Sequence, residues 1–319
     1  MMVPMVWVKD ILGDEYEART LDLPADDQGK PVATLIRRRT TPTDRAVLYV
    51  HGYNDYFFQT HLADFFTGLG YTFYAIDLRR YGRSLREGEV PSMVTKISYY
   101  FQELDAAARI IREEDGHSTL VINAHSTGGL TTSMWAHRIR GTRTISGLTL
   151  NSPFLDINAN WFLRRVAPVL LAPVAKRDPL RVVPAGLGGV YGDSVHGSRK
   201  GEWWFDTAWK PIEGIPTRLG WLLAVADAQR RLRQGLDIDV PVLVTASTES
   251  YFRPQWHDDA RRTDSVLNVE QIAQWAPKLG RDVTLERIPD GMHDLTLSGE
   301  HAREAYFRSL KSWLGKHVQ

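Results

Sequence analysis

Short runs of β-branched and other apolar residues alternate with longer stretches of helical character, and this alternation constrains the chain more than any other feature. The runs are Ala46–Val50, Thr72–Ile76, Thr119–Ala124, Ile145–Leu150, Val240–Ala246 and Asp282–Ile288. Between them, His61–Leu69, Val94–Glu114, Gly129–Arg140 and Val269–Leu279 carry helical apolar spacing, as does His301–Leu314 after the last run. Most runs lack polar alternation, the pattern of strands covered by helices on both faces. Parallel strands need helix-length crossovers, so this order predicts a mostly parallel central sheet. Residues 15–40 add two short strands around the turn Asp26-Asp27-Gln28-Gly29.

One gap breaks the rhythm. About eighty residues separate Leu150 from Val240, too many and too apolar for a structureless loop. The segment holds Pro168, Pro173, Pro179, Pro184, Pro211 and Pro216, a glycine-rich turn at Gly186–Gly189, and Trp203, Trp204 and Trp209. It reads as a helical cap, 157–238, inserted into a core domain made of 1–156 and 239–319.

With 43% hydrophobic residues over 319 positions, the chain can bury a continuous core without covalent staples. That agrees with its lack of cysteine, which excludes disulfides, thiolate metal sites and a cysteine nucleophile. The net charge of +1, with both signs mixed, lacks the basic excess of a nucleic-acid binder. The opening Met-Met-Val-Pro-Met has no basic n-region and is not expected to be a signal peptide. The apolar segment Trp161–Val174 is interrupted by Arg164 and Arg165 and is too short to span a membrane. A cytoplasmic home is the simplest expectation.

The string that carries chemistry is Ala124-His125-Ser126-Thr127-Gly128. A serine on a sharp strand-to-helix turn needs small residues two places before and after it, because bulk there collides with the neighbouring strand and helix. Alanine at the first position meets that size limit. The string is too short to be specific alone; its context makes it so. Thr119-Leu120-Val121-Ile122 leads into it and a helix-compatible stretch follows, the order a nucleophile elbow requires. Upstream, Val47-Leu48-Tyr49-Val50 ends in His51-Gly52-Tyr53. In a fold of this kind that loop supplies one oxyanion-hole amide and the residue after the nucleophile the other, here Tyr53 and Thr127. His51 is expected to pin its loop by hydrogen bonds, and His125 to pack beside the serine.

A base and an acid are sought downstream. Of ten histidines, His293 alone lies between the final predicted strand and the final helix, at the carboxyl edge of the sheet. His301 and His317 fall on or past that helix. Glu249 follows the strand Val242–Ala246 closely, and Asp264 precedes the next helix, so both are candidates for the acid. Asp258 and Asp259 lie mid-loop, where solvated charges are the default.

These residues together resemble the α/β-hydrolases of the monoacylglycerol lipase and lysophospholipase type, grouped with serine aminopeptidase-like hydrolases. The resemblance covers about residues 30–315. It rests on His51-Gly52-Tyr53, Asp77-Leu78-Arg79-Arg80-Tyr81-Gly82-Arg83-Ser84, the elbow, Asn151-Ser152-Pro153-Phe154-Leu155, Pro241-Val242-Leu243-Val244, Asp264-Ser265-Val266-Leu267 and Gly291-Met292-His293. It implies an α/β-hydrolase fold, a triad of Ser126, His293 and an acid about thirty residues earlier, and no metal or organic cofactor. That spacing favours Asp264 over Glu249. Two departures stand out: Arg80 occupies a position where the family has glycine, and the connection from Ala246 to Asp264 is long.

The implied reaction is acyl transfer through an acyl-enzyme, with serine at the elbow arguing against dehalogenase or epoxide hydrolase chemistry. The expected substrate is a small-molecule carboxylester with an apolar acyl or alcohol part, a monoacylglycerol or lysophospholipid being one case. Trp161, Phe162, Trp204 and Phe252 are candidates for binding it. The apolar stretch 161–174, flanked by Arg164, Arg165, Lys176, Arg177 and Arg181, reads as a lid for transient contact with a lipid surface, or as a helix that packs on the body. Two rivals remain: an aminopeptidase or amidase using Glu202, Asp206 or Glu213 to hold an amine, and a non-enzymatic binding protein on the same fold.

Overall fold

In the computed structural model, which describes residues 6–41, 43–183, 189–253 and 255–318, the apolar runs become neighbours in one sheet. Its strands are β1 (Val8–Asp10), β2 (Gly13–Asp22), β3 (Val32–Arg38), β4 (Arg45–Val50), β5 (Thr72–Asp77), β6 (Thr119–His125), β7 (Gly147–Asn151), β8 (Val242–Ser247) and β9 (Val283–Ile288). The helices are α1 (Thr60–Gly68), α2 (Tyr100–Arg109), α3 (Thr127–Arg138), α4 (Trp161–Arg165), α5 (Ala167–Arg177), α6 (Gly189–Val195), α7 (Leu219–Gln234), α8 (Val269–Trp275) and α9 (Glu300–His317). Sheet order is β1-β2-β3-β5-β4-β6-β7-β8-β9. The pairs from β5 through β9 are parallel, and the amino-terminal strands add to β5 antiparallel.

Period-two geometry divides the strand side chains between two cores. On one face Ala46, Leu48 and Val50 join Leu120, Ile122 and Ala124 beneath α2, α3 and α7, where Leu104, Trp135 and Trp221 pack. On the other, Val47, Tyr49 and Val121 meet Leu62 and Phe66 of α1 and Tyr306, Leu310 and Trp313 of α9. Helices on both faces explain why the central strands read as unbroken apolar runs. At the edge, β9 is only partly covered.

Several elements depart from the expectation, β8 beginning at Val242 and α8 ending at Trp275 among them. Strand β1 was not anticipated; three residues paired through an irregular register carry too little pattern to read. The stretch from Val94 to Glu114 is not one helix. Met93, Val94 and Ile97 are buried from a loop and a 3-10 turn, so their apolar spacing imitates a helix that begins at Tyr100. It ends in a π-helical turn at Ile110–Glu114. Strand β7 starts at Gly147 rather than Ile145. Of the proposed turn at Gly186–Gly189, residues 186–188 lie outside the described residues, as do Met1–Met5 at the start.

Arg80, the departure from glycine, adopts φ 64°, a left-handed conformation that costs a non-glycine residue energy. Its buried guanidinium makes a fork on Asp26, with Nη1 donating to Oδ2 and Nη2 to Oδ1, both at 2.7 Å. Arg79 beside it donates to the same Asp26 at 3.0 Å and to buried Glu103. The Asp26–Gly29 turn between β2 and β3 is therefore tied to the two arginines that follow β5. Replacing Arg80 with Ala should cost about 3 kcal/mol in urea denaturation, because Asp26 loses its bidentate partner in a buried setting. Arg80→Gly should be less damaging than Arg80→Ala by about 1 kcal/mol, since glycine adopts positive φ freely. Equal losses would show that backbone strain at position 80 is negligible.

Candidate active site

The site is organised by the junction of β6 and α3. Ser126 lies at φ 52°, ψ −116°, and its N–H donates to the Asn151 carbonyl of β7 at 3.0 Å. The space around it admits no larger neighbours. A Cβ on Gly128 would sit 2.4 Å from the His51 carbonyl oxygen, and one on Gly129 would sit 2.7 Å from Pro153 Cβ. Ala124 is fully buried. The small residues at this junction are thus a packing requirement of the strained turn.

Two loops at the carboxyl edge of the sheet meet the elbow. His293, between β9 and α9, lies with Nε2 2.9 Å from Ser126 Oγ and Nδ1 3.0 Å from Asp264 Oδ2. A carboxylate accepts only, so the proton belongs on Nδ1 and leaves Nε2 to accept from the hydroxyl. The other oxygen of Asp264 accepts from the N–H groups of Val266 at 2.8 Å and Leu267 at 2.7 Å. Asp264 is fully buried, whereas Glu249 is exposed. Of the two acids open in the sequence, the fold brings Asp264 to the histidine, and the long connection before it is tied down by Asp264 N–H on the Glu249 carbonyl and Tyr251 N–H on the Asp264 carbonyl.

Tyr53 and Thr127 both line the cavity at Ser126. Thr127 opens α3, so its amide is among the first-turn donors that a helix leaves unpaired. His51 pins the loop before Tyr53: its Nδ1 donates to Gly52 O at 2.8 Å and its Nε2 accepts from Leu78 N–H at 3.0 Å. Burial pushes the His51 imidazole pKa down, consistent with this neutral form.

A second polar cluster lies beside the first and was not visible in the sequence. Lys210 reaches from the inserted segment to Asp55 Oδ1 at 2.8 Å, both side chains buried. His125 Nδ1 stands 3.6 Å from Asp55 Oδ2 and 3.9 Å from Asp294 Oδ2, and its ring lies 4.8 Å from that of His293. Burial opposes charge on each group, yet Asp294 and Asp55 raise the His125 pKa while Lys210 and His125 hold Asp55 well below the usual carboxylate range. Asp55, His125 and Asp294 present ligand atoms within 4.8 Å of one another and are, among the described residues, a set that could hold a metal ion. The ammonium already on Asp55 disfavours a second cation there.

The cavity at Ser126 has a volume of about 740 Å³ and includes Phe154, Leu171, Trp221, Leu222 and Val266 in its wall. Phe252 lines it. Trp161, Phe162 and Trp204 do not; they are 66%, 51% and 71% exposed, and Leu163 and Arg164 are the residues of α4 that line it. Trp203 and Trp209 instead dock the insert on the body, Trp203 stacking on His61 at 4.4 Å and Trp209 edge-on to Tyr56 at 5.2 Å.

Residues 41–300 match the family model described as serine aminopeptidase, S33. The chain belongs to that family. Its fold is that of an α/β-hydrolase, shared with a soluble variant of monoglyceride lipase from Saccharomyces cerevisiae solved with a substrate analog (15% identity, TM-score 0.65, covering 94% of this chain and 96% of that one). It is also similar to the monoacylglycerol lipase of Paleococcus ferrophilus (18% identity, TM-score 0.62, 90% and 98% covered). A third match is a thermostable carboxyl esterase from Bacillus coagulans in complex with glycerol (12% identity, TM-score 0.62, 95% and 99% covered). At these identities the likeness is one of fold. No curated protein matches the chain in sequence. No helix among the described residues is long and apolar enough to cross a membrane.

Lys210→Met should destabilise the protein by about 3 kcal/mol at pH 7, because buried Asp55 is left without its ammonium. The pH dependence follows from the sign of the Asp55 shift. Its folded pKa lies below the unfolded value of about 3.9, so its contribution is complete above that pH and lost as pH falls through the folded pKa. The gap between wild type and variant in denaturant titrations should therefore be widest above about pH 4 and narrow below it. A gap that stays constant into acid would refute the pairing.

Proposed function

We propose that the protein is a serine carboxylester hydrolase that works through an acyl-enzyme on an ester with an apolar acyl or alcohol part. The observation that carries this reading is the hydrogen-bonded line from Ser126 Oγ through His293 to Asp264, opening onto a largely apolar cavity. In this mechanism His293 Nε2 takes the hydroxyl proton as Ser126 Oγ attacks the ester carbonyl. Asp264 holds the tautomer and stabilises the imidazolium. The Tyr53 and Thr127 amides stabilise the tetrahedral oxyanion, helped at Thr127 by the positive end of α3. His293 then returns the proton to the departing alcohol. Water, activated in turn by His293, releases the acid.

A monoacylglycerol or lysophospholipid is one substrate that fits. We read 157–238 as the inserted cap, since α4, α5, α6 and α7 all lie between β7 and β8 and supply much of the cavity wall. Trp161, Phe162, Leu163, Val169 and Leu170 leave an apolar face of α4 and α5 exposed, which supports transient contact with a lipid surface.

An aminopeptidase needs a carboxylate where the substrate amine rests. Among the described residues that line the cavity are Arg164, Lys210, Arg233 and Arg253 but no Asp or Glu. The acidic candidates in the insert are occupied elsewhere. Glu202 pairs with Arg261, Glu213 pairs with Arg199, and Asp206 Oδ1 caps Ala208 N–H. This favours esters over aminoacyl substrates.

A fluorophosphonate should label Ser126 in the folded wild-type protein and leave Ser126→Ala unlabelled. Absence of labelling would sink the hydrolase reading. Asp264→Asn should lower kcat on p-nitrophenyl esters by about 10³–10⁴, whereas Glu249→Gln should stay within about twofold of wild type. The reverse outcome would make Glu249 the acid.

A further inference from the structure

Asp156 lies behind Arg164 and Arg233, which line the cavity; its side chain is fully buried and accepts from four donors. Oδ1 accepts from Arg233 Nη1 at 2.9 Å and from Ile157 N–H at 3.0 Å. Oδ2 accepts from Arg164 Nη1 at 2.8 Å and from Trp275 Nε1 at 3.1 Å. One carboxylate thus faces two guanidiniums, each spending one nitrogen on it. The Nε atoms of both arginines are buried and have no hydrogen-bond partner among the described residues. The Arg233 side chain is only 6% exposed, yet it lines the same cavity as Ser126, as does Arg164.

A buried donor without an acceptor is expensive, and a surplus buried positive charge more so. The surplus is not cancelled from other elements. The charged groups that act on Arg233 are Asp156, Arg164 and Arg165; burial and the two arginines lower its pKa against the pull of Asp156. The nearest acid on the same helix, Asp227, is taken by Arg230 and Arg231 at the surface. Two guanidiniums that line the cavity, each spending only its Nη1 on Asp156 and 26% and 6% exposed at Arg164 and Arg233, suit a planar or tetrahedral oxyanion.

We propose that Arg164 and Arg233 form an oxyanion-binding subsite in the substrate cavity, so that the ester carries a carboxylate or phosphate remote from its scissile carbonyl. The subsite rests on the ester-hydrolase reading for its place in turnover but not for its existence. It adds a charged anchor to an otherwise apolar cavity. An apolar chain then spans from the anchor to Ser126, and Asp156 sets the angle of both forks.

Two matched pairs of substrates separate the source of the anion. On the acyl side, p-nitrophenyl hydrogen suberate is compared with p-nitrophenyl methyl suberate; on the alcohol side, 1-octanoylglycerol 3-phosphate is compared with 1-octanoylglycerol. In at least one pair kcat/KM should favour the anion by about tenfold or more, the size of one charge-assisted contact. That ratio should collapse toward one in Arg164→Gln and in Arg233→Gln. Arg233→Lys, which keeps a cation for Asp156, serves if Arg233→Gln does not fold, and should lose most of the ratio because an ammonium lacks the fork. Calorimetric titration of monomethyl suberate and of glycerol 3-phosphate into Ser126→Ala protein reads the subsite without turnover. Saturable binding that weakens tenfold in Arg164→Gln supports the subsite even if no ester is hydrolysed, an outcome that would sink the hydrolase reading alone. No preference in either pair together with no binding, or a preference and binding that survive both substitutions, overturns the subsite.

Discussion

The site depends on one backbone conformation that side chains ordinarily avoid. Ser126 is held at positive φ between β6 and α3 because the chain must turn sharply from strand to helix there. Gly128 lies against the His51 and Val50 carbonyls, and Gly129 lies against Pro153. The same close approach brings the β4 loop, the β7 loop and the elbow to one point. Packing over-determines the strain, since relaxing Ser126 would push α3 away from the sheet.

Two carboxylates beside the elbow are held by the hydrogen bonds they accept. Asp264 spends one oxygen on two backbone amides and the other on His293. Asp294, next to that histidine, accepts from Asn151 Nδ2 at 2.7 Å and from Thr296 N–H at 2.9 Å. Each carboxylate is fixed by what it accepts, and each fixes a loop in return. His293 is positioned from both sides, and its hydrogen bond to Ser126 needs little further ordering.

The segment between β7 and β8, the proposed insert, is tied to the rest of the chain at several points. Asp206 N–H donates to Tyr56 Oη at 2.8 Å, Asn54 Nδ2 donates to Pro211 O at 3.0 Å, and Lys210 reaches Asp55. Three consecutive residues of the loop after Tyr53 are thereby tied to one stretch of the insert. Its other end meets the body through Asp156, which joins Arg164 of α4 to Arg233 of α7. The cations that anchor the segment, Arg164, Lys210 and Arg233, also line the cavity, whereas their carboxylate partners do not, and the cavity is correspondingly basic and free of acidic side chains among the described residues.

Local pattern made most of the fold and half of the site legible. Parallel strands buried on both faces show as unbroken apolar runs, and an elbow demands small residues at set spacing, so the sheet, Ser126 and His293 could be read from order alone. Contacts between segments distant in the chain leave no such trace. The family resemblance favoured Asp264 over Glu249, but the two stand in similar local sequence, and only the fold shows which carboxylate turns inward to His293. Lys210 with Asp55, and Arg233 with Asp156, are separated by 155 and 77 residues, and nothing in either segment marks its partner. The chain by itself determined the scaffold and the elbow at Ser126, because these follow from periodicity and steric limits within a few residues. Only the tertiary structure decided which charges survive in the cavity, because a buried charge is set by what the rest of the fold brings against it.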